Sequence, residues 1–337
     1  MRHELRMLLA LVGLLPAVAL AQGFRPPPFA AGIPGRAQMQ AIEIQRHQAR
    51  TLLYREALEE LRRNPQVVDV RACGAGDDEK SLCLPQASAG GVPEAVAAQP
   101  TARRIALLFG NHRYQPPIPP LETPARDVDQ VAASLRQKLG FEIRVIKNAT
   151  KADMVRAVAT LAREVGTADS VFVYYAGHGY LMDDTHMGYW IPVDGSVKTA
   201  AQWISNTDIS KLLGAIPARQ VMLVSDSCFS GTLAREQAIS AGVQPGREVL
   251  RKRSVIVLSS GGEEPVSDEG KDGHSVFAWH FLRSIGQLDG TTIGFDVYKV
   301  VRKGVSEDYP QQPQYGAVVS AGHEAGGEYL FEPAPKR

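Results

Sequence analysis

Two stretches of the chain end in residues that do covalent chemistry. One is "SVFVYYAGHGY", an apolar run that stops at His178 between Gly177 and Gly179. The other is "VMLVSDSCFSGT", an apolar run that stops at Ser-Asp-Ser-Cys and turns through Phe-Ser-Gly, with Cys228 at its mouth. A thiol attacks as its thiolate, and an imidazole beside it stabilises that thiolate and later protonates the leaving amine. Two such runs placed as neighbouring strands would share a sheet edge and set His178 across a cleft from Cys228. Small residues around His178 would let a peptide backbone approach, and the N–H groups of Gly179 and Cys228 would form an oxyanion hole. The bland alternative for Cys228 is a buried small hydrophobe. A zinc site needs more ligands than the two evident here, so no metal ligands are assigned. The serine-hydrolase elbow G-x-S-x-G is not matched.

The elements that must position these residues alternate regularly. "RIALLFG", "FEIRVIKN", "SVFVYYAGHG", "QVMLVSDSC" and "SVIVLSSG" read as strands, and "GEYLF" as a last one. Between them, "TPARDVDQVAASLRQKLG" has Thr123 as N-cap, Pro124 in the first turn and Gly140 as stop, and "TKADMVRAVATLAREVG" has Thr150 and Asp153 at capping-box spacing. "NTDISKLLG", "HSVFAWHFLRSIG" and "FDVYKVVRKG" complete the helices. This pattern predicts an α/β fold with a mostly parallel sheet of about six strands, helices on both faces, and its chemistry beyond the strands' carboxyl ends.

The chain has 337 residues, formal net charge +1 and 44% apolar residues, which give no basic field for a nucleic-acid partner. "MRHELRMLLALVGLLPAVALA" has the basic start, short apolar run and small-x-small end of a secretory signal peptide over residues 1–21. The expected localisation is therefore exported, periplasmic or secreted, with no membrane span. Residues 22–102 form an extension: a Pro-rich start, a helix over 36–63 stopped by Asn64-Pro65, a two-cysteine loop and a small-residue linker. Cys73 and Cys83 are expected to pair in an oxidising compartment, which leaves Cys228 as the odd thiol.

The stretches "SVFVYYAGHG", "YWIPVDG", "VMLVSDSCFSG" and "GHSVFAWHFL" resemble the caspase-like cysteine peptidases, in particular their bacterial metacaspase- and paracaspase-like members. His178 stands 50 residues before Cys228, and the caspase signature places its histidine about 50 residues upstream. The resemblance covers residues 103–332, the expected peptidase domain, and implies His178 as general acid/base, Cys228 as nucleophile, and Gly179 with Cys228 as oxyanion donors. It also implies protein or peptide substrates, no required cofactor, and calcium as an activator. The acids of "VSDEGKDG" and "LMDDTH" are read as surface acids rather than calcium ligands.

True caspases carry Gln-Ala-Cys at the nucleophile and accept aspartate. Here Asp226 makes the motif Asp-Ser-Cys, as in metacaspases and paracaspases, and a carboxylate at the pocket floor favours a cationic side chain. Leu121 and Asp127 keep the spacing of a second pocket aspartate, against the alternative of a solvated helix-start carboxylate. Glu264 is a third candidate, equally readable as an exposed loop acid. The expected activity is an endopeptidase cutting after Arg or Lys. The basic stretch between the nucleophile and the next strand offers self-cleavage after Arg247, Arg251, Lys252 or Arg253, or is simply a solvated loop. Arg103-Arg104 offers a second cut that would release the extension, itself readable as a pro-region blocking the cleft or as a docking or cell-wall-facing module. The competing class is a catalytically silent peptide-binding or interaction module on the same fold. Neither the natural substrate nor the oligomeric state is legible.

Overall fold

Burial on both faces explains why the strands read as unbroken apolar runs. A computed structural model describes residues 36–65, 70–76, 83–85, 103–227, 231–241, 249–262 and 270–334. In chain order come α1 (Arg36–Leu53), α2 (Arg55–Arg63), β1 (Arg104–Gly110), α3 (Pro124–Leu139), β2 (Glu142–Lys147), α4 (Lys151–Glu164) and β3 (Ser170–Ala176). The antiparallel strands β4 (Gly179–Met182), β5 (Met187–Trp190) and β6 (Ile204–Ser205) follow, then α5 (Asn206–Gly214) and β7 (Gln220–Asp226). The remaining elements are α6 (Gly231–Ala234), β8 (Gln237–Ala238), β9 (Ser254–Ser259), α7 (Val276–Gly286), β10 (Thr292–Ile293), α8 (Gly294–Asp308), β11 (Gln314–Ala317) and β12 (Leu330–Phe331).

The main sheet has seven strands in the order β2-β1-β3-β7-β9-β11-β8. The first five are mutually parallel, and β11 and β8 close one edge antiparallel. The count exceeds the expected six because β11 and the two-residue β8 join five of the expected strands. β8 pairs with Gly316, where a Cβ would stand 1.9 Å from the carbonyl oxygen of Ala234. "GEYLF" contributes only β12, which pairs with β10 outside the main sheet. Alternate residues of β1 serve the two faces. Ile105, Leu107 and Phe109 join α4 and α5, whereas Ala106 and Leu108 join α3, α7 and α8.

Several helix ends follow the sequence, although α8 runs past the expected stop at Gly304 to Asp308. Thr150 and Asp153 form the capping box, and Gly140 closes α3 in the left-handed region at φ 71°. Thr123 precedes α3 but makes no capping bond; its hydroxyl turns to Asp127 instead. The expected helix over 36–63 is interrupted at Tyr54, which separates α1 from α2. The reason is tertiary. Tyr54 is 1% exposed and meets Tyr180 and Trp203 edge-on, with Leu58 and Leu61 in the same cluster. Cys73 and Cys83 are joined by a disulfide. The signal-peptide stretch 1–21 lies outside the described residues. Among the described residues no helix is long and apolar enough to cross a membrane.

Tyr54→Ala should therefore cost about 3 kcal/mol of unfolding free energy. Urea denaturation of wild type and variant checks this; a difference below about 0.5 kcal/mol would mean that the helices do not depend on this contact.

Candidate active site

Parallel pairing of β3 with β7 aligns Ala176 with Asp226, and the Gly177 N–H donates to the Asp226 carbonyl at 3.3 Å. Each aligned residue stands two before a member of the expected dyad, His178 or Cys228. Cys228 itself lies outside the described residues, as do Glu264 and Arg247.

The chain at His178 is clamped by hydrogen bonds from above and below. The His178 N–H donates to the Tyr114 hydroxyl at 2.9 Å, and that hydroxyl donates to the Ile191 carbonyl at 2.9 Å. The Tyr175 hydroxyl donates to the His178 carbonyl at 2.8 Å. A Cβ on Gly177 would stand 2.8 Å from both tyrosine oxygens, so only glycine admits the clamp. Tyr175 stacks on Trp190 with centroids 4.3 Å apart, and Trp190 Nε1 donates to Ser225 Oγ at 3.0 Å. One aromatic pair thus ties the histidine turn to the strand that leads to Cys228.

The ring of His178 is oriented by Pro119, whose carbonyl stands 2.8 Å from Nε2. A carbonyl only accepts, so Nε2 carries the proton and Nδ1 of the neutral ring is left as the base. Burial, with the charge of Arg50 second, pushes His178 down to about 3, against the opposing Pro119 bond. The imidazole is therefore neutral at physiological pH, with Nδ1 unprotonated. The expected oxyanion donor Gly179 begins β4. Because Ile191 N–H bonds the His178 carbonyl, antiparallel alternation puts the Gly179–Trp190 pair in a non-hydrogen-bonded position. Its N–H points off the edge of β4, away from β5.

Asp127 and Asp226 come together from α3 and β7. Both are buried, which removes the solvated alternative for Asp127. Asp127 accepts from the Ser275 N–H at 3.3 Å, has His274 Nδ1 at 2.6 Å from Oδ1, and also takes the Thr123 hydroxyl. Asp226 accepts from Ser275 Oγ at 2.6 Å, with the Ser260 and Tyr174 hydroxyls beside it. Burial raises each carboxyl to about 7, and for Asp226 the charge of Asp127 adds to the rise. Arg126 opposes the rise at Asp127, and the two carboxyls form one buried, donor-lined cluster at the end of β7.

The remaining candidates separate. Arg253 directly precedes β9, with its guanidinium bonding the carbonyls of Ala218, Leu213 and Ala321. A cut there would require the first residue of a central strand to peel away. Arg251 and Lys252 are exposed, with Lys252 Nζ reaching the Ala325 carbonyl. Arg103 and Arg104 do not lie in a linker. The Arg103 N–H donates to Asp169, and Arg104 opens β1, paired with Glu332. Asp184 of "LMDDTH" is paired with Arg62. Among the described residues no group of three or more His, Cys, Asp or Glu side chains could hold a metal ion.

Tyr114, Tyr175, Pro119, Trp190, His274 and Ser275 were not singled out from the sequence. "YYAGHGY" and "YWIP" carried a signal for the aromatic pair. Nothing local marks Tyr114 or Pro119, which lie 64 and 59 residues from His178.

A family model described as the caspase domain matches residues 103–320. A solved structure of caspase-1 from Spodoptera frugiperda superposes with TM-score 0.53 at 12% identity, covering 72% of this chain and 94% of that one. Protein GSU0716 from Geobacter sulfurreducens aligns with TM-score 0.47 at 18% identity, over 67% of this chain and 99% of that one. A search of curated proteins returns no match.

A carboxyl held above its ordinary 3.8 weakens folding once the unfolded chain ionises and the folded one does not. The penalty is absent below 3.8, grows as pH rises, and is complete above about 7. Asp226→Asn should therefore melt with wild type near pH 4 and at least about 3 °C above it at pH 8. Thermal melts across this range check it; a constant gap would show that Asp226 is ionised in the fold throughout.

Proposed function

The chain belongs to the caspase domain family, and from that premise we propose that it is an exported cysteine endopeptidase cutting after Arg or Lys. The observation that carries the specificity is the buried pair Asp127 and Asp226 beside the turn that precedes the nucleophile. A guanidinium or ammonium entering there would exchange carboxylate repulsion for charge-assisted hydrogen bonds.

The steps follow from the geometry of His178. Nδ1 takes the proton of the Cys228 thiol as sulfur bonds to the scissile carbonyl carbon. The carbonyl oxygen becomes an oxyanion, held by the Gly179 and Cys228 N–H groups. Collapse expels the amine, which leaves with the proton from Nδ1. Water, deprotonated by the same nitrogen, then hydrolyses the thioester. Pro119 keeps Nε2 protonated throughout and favours the imidazolium while it lasts.

Fluorogenic peptides ending in Arg, Lys or Asp, with calcium varied, test this reading. Wild type should cleave the Arg and Lys peptides and Cys228→Ala should cleave none; activity that survives in Cys228→Ala, or a preference for Asp, would overturn it. For an Arg peptide, kcat/KM should rise with pH through about 7 as Asp127 and Asp226 ionise. The same two proteins on a gel test self-cleavage after Arg247 or Arg251, which predicts fragments in wild type only.

The extension reads as a pro-region. Arg50 of α1 lies near enough to His178 to depress its protonation, and Thr51 stands 3.4 Å from the Tyr180 hydroxyl one turn on. Deleting the helices would strip the Tyr54 cluster from the catalytic fold, so a point change is the cleaner probe. Arg50→Ala should raise kcat/KM several-fold, and an unchanged value would argue for a docking role.

A further inference from the structure

The loop entering α7 reaches both pocket carboxylates at once. His274 Nδ1 stands 2.6 Å from Asp127 Oδ1, and the Ser275 N–H donates to Asp127 Oδ2 at 3.3 Å. Ser275 Oγ donates to Asp226 Oδ2 at 2.6 Å while accepting the Ala278 N–H at 2.9 Å as N-cap of α7. The loop is held on all sides. Asp272 and Gly273 take left-handed backbones at φ 56° and 76°, and an Arg126 nitrogen stands 2.5 Å from where a Gly273 Cβ would sit. Trp279 Nε1 bonds Asp272, and Lys271 pairs with Asp308. His274 is 7% exposed and has little room to turn from Asp127.

We propose that His274 is a specificity-determining positioning residue of the pocket for a basic side chain: as a neutral donor it favours the charged form of Asp127 and keeps it turned to the substrate. The inference rests on the Arg/Lys reading of the same pocket. A carboxylate offers about four lone-pair sites. His274, Ser275 and Thr123 occupy Asp127 from three sides, which fixes the direction left for a ligand. A donor bonded to the charged form favours it and opposes the effect of burial.

The groups that face His274 set its state. From α3 come Asp127 and Arg126, and from its own loop Asp272. Behind Asp127 stand Asp226 of β7 and Tyr174 of β3. Burial and Arg126 hold its protonation below the ordinary range while Asp272 opposes. The neutral donor is therefore the working state at neutral pH, and the imidazolium belongs to acid.

The test compares wild type, His274→Ala and His274→Asn on an Arg peptide and its citrulline counterpart, a neutral isostere, from pH 5.5 to 8.5. Arginine stays charged throughout, so any pH effect on its selection arises in the protein. The Asn amide nitrogen stands where Nδ1 does but does not titrate. At pH 8, His274→Ala should raise KM for the Arg peptide about tenfold with kcat changed less than about twofold. The Arg-to-citrulline ratio of kcat/KM should fall in step. His274→Asn should keep the wild-type KM and Arg preference at pH 8. A folded His274→Ala that loses kcat at unchanged KM and unchanged Arg-to-citrulline ratio would overturn the inference. An Asn variant with a raised KM and a lowered Arg-to-citrulline ratio at pH 8 would overturn it too, and decides the question if the Ala variant does not fold. Wild type that does not prefer Arg over citrulline removes the basic pocket and this inference together. A wild-type preference left intact in both variants removes this inference alone.

Discussion

The parallel pairing of β3 with β7 is the constraint on which the rest depends. Both strands are buried along their whole length and lie between helical layers, so neither can offer a reactive side chain until it ends. A parallel register ends both at one edge, with Ala176 opposite Asp226. Beyond that edge the histidine turn is tied to the β4–β5 hairpin by the Ile191 N–H on its carbonyl. Tyr114 and Tyr175 bond its N–H and C=O, and Gly177 leaves the room they require. A slip of the register by one residue would reverse the side-chain faces and separate the two turns.

That edge places opposite electrostatic demands within a few residues. His178 is kept neutral by burial. Asp127 and Asp226 are pressed toward the neutral form by the same burial. Donors from the start of α3, from β3 and from the loop before α7 surround the two carboxyls and oppose it. Donors orient a carboxylate and favour its charge but carry no full charge themselves; under the proposed Arg/Lys reading the cation would come from the substrate.

What the sequence made legible follows from burial and covalent chemistry. Strands covered on both faces are unbroken apolar runs, so β1, β3, β7 and β9 are plain to read, as are the capping box at Thr150 and the stop at Gly140. His178 and Asp127 stood out because strand ends and motif spacing are local properties. Strands of two residues, such as β8, β10 and β12, carry no periodicity at all. The interruption at Tyr54 was hidden for another reason: helix propensity continues through it, and the residues its ring meets, Tyr180 and Trp203, are far away in sequence. Nothing local marks His274, because its partner Asp127 lies 147 residues away.

The placement of α1 and α2 changes what the N-terminal extension can be. A loosely tethered pro-region would leave the catalytic fold intact on removal. Here Tyr54, Leu58 and Leu61 fill a cluster with Ile191 and Trp203, while the Ala57 N–H bonds the Val197 carbonyl and Glu60 accepts the Ala200 N–H at 2.8 Å. The clustered side chains cover the β4–β6 sheet, and β4 opens at Gly179. Any force that displaced α1 and α2 would also act on β4 through Tyr54 and Tyr180. Under the proposed pro-region reading, an activating change is therefore easier at the level of the Arg50 side chain than by loss of the whole extension.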